Sequence, residues 1–353
     1  ADITYGTTTP TGSTYINWTN NTGHALIEEC NIEIGGQRID KHTGQWLDIL
    51  NELTDHEESE WIGLNKHSAK NAYLKSGNLT TTSTIRLYIP LKFWFCRNPG
   101  LALPLIALQY HEIKLNIKFR GIHALVNSDA TVNQPLSAGT ITSKVWIDYI
   151  YLDTEERRRF AQVSHEYLIE QLQYLNRTST TDLKLNFNHP IKELIWVLPQ
   201  TKSQQSLGSS DTGLDIIYDA TLATGSSKND YFNYSSKSNS NTTEYIYGQE
   251  SYEAFNTATI KLNGHSRFKE REASYFRLCQ PQQSGHKLPT KHIYMYSFAL
   301  HPEEHQPSGT CNFSRIDNAH LILNTLNDST DICKLNVYAI NYNVLRIMSG
   351  MGA

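Results

Sequence analysis

YIPLKFWFCRNPGLALPLIALQYHEIKLNIKF, residues 88–119, sets two runs of alternating apolar and polar side chains on either side of a proline-bounded loop. In and just before its first half, Ile85, Leu87, Ile89, Leu91, Phe93 and Phe95 share one face of an extended chain, and Arg86, Tyr88, Pro90, Lys92 and Trp94 share the other. The same period returns in Ile113, Leu115, Ile117 and Phe119, set against Glu112, Lys114, Asn116, Lys118 and Arg120. Each predicted strand has one face to bury and one polar face, as a packed pair of antiparallel sheets requires. Between them, Asn98-Pro99-Gly100 is turn chemistry, and Pro104 keeps residues 101–108 from reading as a clean helix. The apolar loop 100–107 needs a cover, supplied either by its own domain or by a neighbouring subunit. Leu101, Leu103 and Leu105 are the candidate buried or interface positions.

Outward from this stretch, the same plan occurs twice. Ile32-Glu33-Ile34-Gly35-Gly36 and Ile260-Lys261-Leu262-Asn263-Gly264 are each a short strand running into a turn, with an Arg and a Lys close behind. Each is followed by an aromatic strand (88–95; 294–298), a proline loop (99–104; 302–307), an alternating strand (112–119; 320–326) and a last strand (145–152; 335–342). Recurrence of several elements in one order points to duplicated units. Many short strands joined by polar loops predict an all-β chain of two consecutive jelly-roll β-sandwiches with short helices in the connections. The predicted division is 1–156 for the first, 157–164 for a linker and 165–353 for the second.

Two helices stand out from the strand pattern. Trp46, Ile49, Leu50 and Leu53 recur at the spacing of one helical face, predicting a helix over about 42–55. Near the unit boundary, Asp153 or Thr154 can cap a second helix, with Glu155 and Glu156 at its positive end. The Arg157–Arg159 triplet beside those acids reads as a solvated or inter-domain salt-bridge surface. Residues 200–250, rich in Ser, Asn, Thr and Gly, predict an insertion on the outer surface anchored by Tyr231, Phe232, Tyr234, Tyr245 and Tyr247.

Composition narrows the function. The 353 residues suffice for about two domains. Charged residues are 19% and the net charge is −4, with no basic tail to neutralise phosphates, so direct nucleic-acid binding is not expected. No run reaches the ~20 apolar residues of a membrane span, so no membrane insertion is expected. ADITYGTTTPTGS lacks the basic start and apolar core of a signal peptide, and the five cysteines show no C-x-x-C spacing, so reduced thiols are expected. No residue is assigned to catalysis or to metal. His301, Glu303, Glu304 and His305 sit in a segment that Pro302 and Pro307 force into a loop, without a helical H-E-x-x-H. Ser308 lacks a G-x-S-x-G frame and reads as turn geometry, and His111-Glu112 opens a strand whose neighbours point apart. No phosphate-binding loop is present, and no cofactor is expected.

Six blocks carry a resemblance: EIGGQRIDKH (33–42), GLALPLIALQYHE (100–112), VWIDYIYLDTEERRRFAQ (145–162), HEYLIEQLQ (165–173), HPEEHQPSGTCNFSRIDNA (301–319) and NYNVLRIMSGMG (341–352). In that order they resemble the major capsid proteins of the nucleocytoplasmic large DNA viruses, in particular the algal-virus and iridovirus branch. The resemblance implies a double jelly-roll subunit that forms a homotrimer, a pseudo-hexagonal capsomer tiling a large icosahedral capsid. The implied partners are neighbouring capsomers and minor capsid proteins, and the implied location is the virion, assembled in the host cytoplasm. Family members carry a longer N-terminal segment, so the first sandwich is expected to be N-terminally incomplete. Leu101, Leu103 and Leu105 become candidates for the trimer interface. Eight N-x-S/T triplets begin at Asn17, Asn20, Asn78, Asn176, Asn233, Asn241, Asn312 and Asn327, of which Asn233, Asn241, Asn312 and Asn327 are kept as candidate glycosylation positions. The alternative function is a β-sandwich carbohydrate-binding module or glycan-processing enzyme, suggested by the 20 Tyr and 6 Trp.

Overall fold

Two hairpins with matching turn chemistry organise the chain. In the first half, strands Ile27–Ile34 and Gln37–Thr43 are joined by Gly35-Gly36, with φ of 59° and 82°. In the second, Phe255–Leu262 and His265–Ser266 are joined by Asn263-Gly264, with φ of 49° and 84°. Positive φ at both central residues is what a two-residue type I′ hairpin demands, and Gly and Asn adopt it at least cost. On the far side of each leading strand runs an alternating strand: Ile113–Phe119 pairs with Ile27–Ile34, and Ala319–Leu326 pairs with Phe255–Leu262, both antiparallel. The repeated pattern in the sequence is thus a repeated three-stranded motif.

The computed structural model of the chain describes residues 1–5, 16–19, 21–54, 83–121, 125–128, 140–178, 181–199, 231–232, 234, 253–326, 334–348 and 351–352. Among these, the first half holds two three-stranded sheets, Ser83–Arg86 with Asp2–Tyr5 and Thr140–Thr142, and Gln37–Thr43 with Ile27–Ile34 and Ile113–Phe119. A two-stranded pair, Ile16–Trp18 with Val126–Ser128, accompanies them. The second half holds a five-stranded sheet around Phe255–Leu262 and Ala319–Leu326, and a six-stranded sheet around Pro190–Val197 and Lys334–Met348. His165–Thr178 pairs with Lys334–Met348 along its full 14 residues. The result is an all-β fold of two consecutive jelly-roll sandwiches.

Alternation along the six-stranded sheet explains how the halves are joined. Leu194, Trp196 and Leu198 point to one side, into a core with Phe255, Phe276, Leu321 and Val337 that lies wholly within the second half. Ile195 and Val197 point to the other side, where Met295, Tyr338 and Ile340 join Trp46, Ile49, Leu50 and Leu53 of the first half. A third core sets Ile27, Cys30, Ile32, Phe93 and Trp94 against Ile169, Leu345 and Ile347. Because both faces are covered, Pro190–Val197 is almost entirely buried, and its sequence PIKELIWV is apolar apart from Lys192 and Glu193.

The predicted helices are present. Gly44–Thr54 buries Trp46, Ile49, Leu50 and Leu53. Thr154–Gln162 is capped by Asp153, whose carboxylate accepts the Glu156 N–H while the Glu156 side chain reaches back to the Asp153 N–H, a capping box.

Three expectations are corrected. The strand predicted over 88–95 is absent: the ladder ends at Arg86, with Leu87 still bonded to Ala1, no partner strand runs alongside 88–93 among the described residues, and Trp94–Arg97 is a helical turn. That turn carries Trp94, placed on the polar face by strict alternation, into the core beside Phe93. The strand predicted over 145–152 has no ladder partner among the described residues and is exposed along both faces. Tyr231, Phe232 and Tyr234, expected as anchors of an outer loop, are buried in the core shared by the halves; Tyr245 and Tyr247 lie outside the described residues.

Candidate assembly surfaces

The apolar loop is a chain of tight turns. The Asn98 side chain accepts the Gly100 N–H at 2.9 Å, Ala102 N–H donates to the Pro99 carbonyl at 3.1 Å, and Ala107 and Leu108 both donate to the Pro104 carbonyl. Pro104, Ala107 and Leu108 are buried. Leu101 and Leu103 are half-buried against Phe93 and its neighbours, so the loop's own fold covers two of the three candidate leucines. Leu105 points outward and is 47% exposed, and Tyr110 is 78% exposed.

A larger apolar surface lies at residues 145–151. Val145, Trp146, Ile147, Tyr149, Ile150 and Tyr151 are all more than half exposed, with Trp146 at 85% and Tyr151 at 92%. A contiguous band of this kind is uncommon on a monomer and marks a surface made to be covered. It leads into the exposed Thr154–Gln162 helix, where Arg158 lies 3.5 Å from Glu155, one turn away. The arginine triplet is exposed there, the solvated one of the two readings of its charge pattern.

Inside, polar groups cross from one half to the other. Asp48 is buried in the Gly44–Thr54 helix and accepts from Asn21 at 2.8 Å, from the Tyr234 hydroxyl at 3.0 Å and from the Lys291 ammonium. One turn on, Glu52 accepts from the Thr290 hydroxyl at 2.7 Å. Gln45 accepts from Asn336 and Tyr338 of the long second-half strand. Nearby, the Arg97 guanidinium meets Glu170 at 3.0 Å, and Glu170 also holds Lys192 at 2.7 Å. Burial pushes the His24 imidazole down to about 3 and raises the phenols of Tyr234 and Tyr338 well above their ordinary range. The sequence reading missed this seam. Its one signal was a pair of acids four residues apart beside an apolar helix face, a pattern that ordinarily marks a solvated side.

Ser308 is occupied in closing its own loop, accepting the His301 N–H at 2.9 Å and lying 3.2 Å from the His301 carbonyl. This matches a turn and not a nucleophile. Asn312 is exposed in the Cys311–Asn312 strand, its side chain accepting the Ser314 N–H at 3.0 Å. Asn233, Asn241 and Asn327 lie outside the described residues. Cys30, Cys96, Cys279 and Cys311 are free thiols, and burial pushes Cys30 up to about 12.

Residues 156–353 match a family profile described as the large eukaryotic DNA virus major capsid protein, and residues 2–153 match one described as the major capsid protein N-terminus. The major capsid protein of Pyramimonas orientalis virus is 43% identical over 357 residues, covering 94% of this chain and 76% of its own length. The capsid chain in the quasi-atomic model of the PBCV-1 virus capsid superposes with a TM-score of 0.70 at 35% identity, over 100% of this chain and 87% of that one. The Faustovirus major capsid protein shares the fold, with a TM-score of 0.66 at 14% identity over 95% of this chain and 74% of that one.

Proposed function

The chain belongs to the family of major capsid proteins of large eukaryotic DNA viruses, and from that membership we propose that three copies close into one pseudo-hexagonal capsomer of an icosahedral shell. The observation that carries the capsid role is the match to capsid proteins along the whole chain, in sequence and in fold. Two similar sandwiches per subunit supply the physical reason for the assembly: three subunits about one axis present six similar lobes, and a closed trimer then tiles an approximately six-fold lattice. The matching relatives are capsid proteins, which leaves the carbohydrate-binding alternative without support.

In this reading the units are 1–156 and 165–353, joined through 157–164. The outward Leu105 meets a neighbouring copy, while Leu101 and Leu103 stiffen the loop from beneath. Such a trimer buries on the order of 2,000 Å² per interface. Neighbouring capsomers and minor capsid proteins are its further partners, in a virion assembled in the host cytoplasm.

Light scattering of the purified chain at micromolar concentration tests this. The expected result is a trimer for the parent chain and predominantly monomer for Leu105→Asp, with the melting temperature of the monomer little changed because Leu105 is half in water already. A parent chain that stays monomeric throughout that range sinks the trimer, and a Leu105→Asp variant that trimerises normally sinks the assignment of the loop.

A further inference from the structure

A buried polar cluster at one end of the second sandwich is used by nothing described so far. Pro190–Val197 bulges against Lys334–Met348, the register shifting between Ile191 and Glu193, and the Lys192 carbonyl accepts the N–H groups of Phe298 and Ala299 instead. Bulges re-aim side chains, and here Lys192 and Glu193 are both fully buried. The Lys192 ammonium is satisfied by Glu170 and by the Pro302 carbonyl. Glu193 is not: its Oε2 lies 2.8 Å from His286 Nε2, but its Oε1 has no hydrogen-bond partner. The His286 side chain is likewise fully buried, with Nδ1 unpartnered and Glu303 3.9 Å away. His286 is fixed by its backbone, which follows Gly285 at φ 81° and donates to the Pro281 carbonyl at 2.9 Å.

We propose that Glu193, His286 and Glu303 form a binding site for one divalent cation of the zinc class. One ligand atom from each lies within 4.8 Å of the other two. A buried carboxylate oxygen left without a partner is costly, and a cation held by Glu193 relieves that cost. Zinc ligands stand about 2.0–2.2 Å from the metal, so in a tetrahedral site neighbouring ligand atoms are about 3.4 Å apart. The 2.8 Å contact between His286 Nε2 and Glu193 Oε2 therefore opens by roughly half an ångström when the ion replaces the shared proton. Glu303, whose side chain is 29% exposed, closes the set from the solvent side, with water completing the coordination. One imidazole and two carboxylates are borderline-to-hard donors that suit zinc, with manganese as the competitor. A bound ion would tie the 301–306 loop to the central strand and to the turn after the Gln280–Gln283 helix.

The sequence reading gave no metal site because the three residues are far apart along the chain, with only Glu303 in the proline loop. The test is titration of the metal-free full chain with zinc chloride at pH 7.5, read by calorimetry and by thermal unfolding, with metal content measured after dialysis. We expect one equivalent bound and a higher melting temperature with zinc. In Glu303→Gln, a change on a part-exposed loop, affinity should fall at least tenfold while the metal-free melting temperature holds. Binding should also weaken below about pH 6, as protons compete for the ligands. No zinc-dependent stabilisation of the parent chain overturns the site. So does a Glu303→Gln variant that binds and stabilises as the parent does, which would place the zinc on other histidines.

Discussion

At the scale of the residue, Gly44 is held by space. A Cβ added there would sit 2.1 Å from the His24 carbonyl oxygen and 2.3 Å from that of Ile27, both backbone atoms that cannot swing aside. Gly44→Ala should cost about 3 kcal/mol in urea unfolding. Gly36→Ala, where φ is 82° but nothing lies within 4 Å, should cost only about 1–2 kcal/mol. Equal losses would remove the close approach as the reason. His24, beside Gly44, gives a pH dependence. Its imidazole is neutral in the folded chain, held down to about 3 by burial and by Lys291 and Lys92, and Asn21 lies 2.8 Å from its Nδ1. The unfolded chain, with a His value near 6.5, takes up the proton first. The stability His24 contributes is therefore whole above pH 6.5 and is lost as pH falls toward 3, by roughly 1.4 kcal/mol per pH unit. Urea unfolding between pH 7 and pH 5 should show this slope, and His24→Asn should reduce it; an unchanged slope in the variant contradicts the assignment.

At the scale of the element, the Gly44–Thr54 helix is a joint. Its apolar face packs in the shared core, while Asp48 and Glu52, one turn apart, reach Lys291 and Thr290 in the second half. Asp48→Ala takes from the nearly buried Lys291 ammonium its nearest carboxylate, leaving Glu52 at 4.0 Å, and should cost about 3 kcal/mol by chemical unfolding. Replacing Lys291 by Met in the same chain should recover part of that loss; no recovery would mean that Asp48 acts mainly through Asn21 and Tyr234. The 145–151 segment shows the opposite condition. It has the composition of a strand, yet no neighbour completes its ladder among the described residues, and its apolar side chains stay in water. A side-chain pattern specifies a willingness to pair, and the partner must come from elsewhere.

At the scale of the whole molecule, two of the three cores contain side chains from both halves, and the six-stranded sheet has one face in each environment. The halves should therefore unfold together: calorimetry should give one main transition, and two widely separated ones would mean that the shared cores contribute little. The sequence by itself determined the all-β class, the duplicated strand-and-turn units, both helices and a cap ahead of the second, because these rest on local chemistry: period-two alternation, Gly and Asn at turns, and a short polar side chain before a helix. It misread 88–95 and 145–152 for the same reason, since alternation is blind to whether a partner strand lies alongside. Of the assembly loop it gave the three leucines but not their directions, which depend on the core beneath. Only the tertiary structure decided that Leu105 alone of the three faces outward, that Asp48 and Lys291 meet across the seam, and that Glu193, His286 and Glu303 converge. Those are contacts between residues far apart in the chain, fixed by how sheets stack, and no local pattern encodes them.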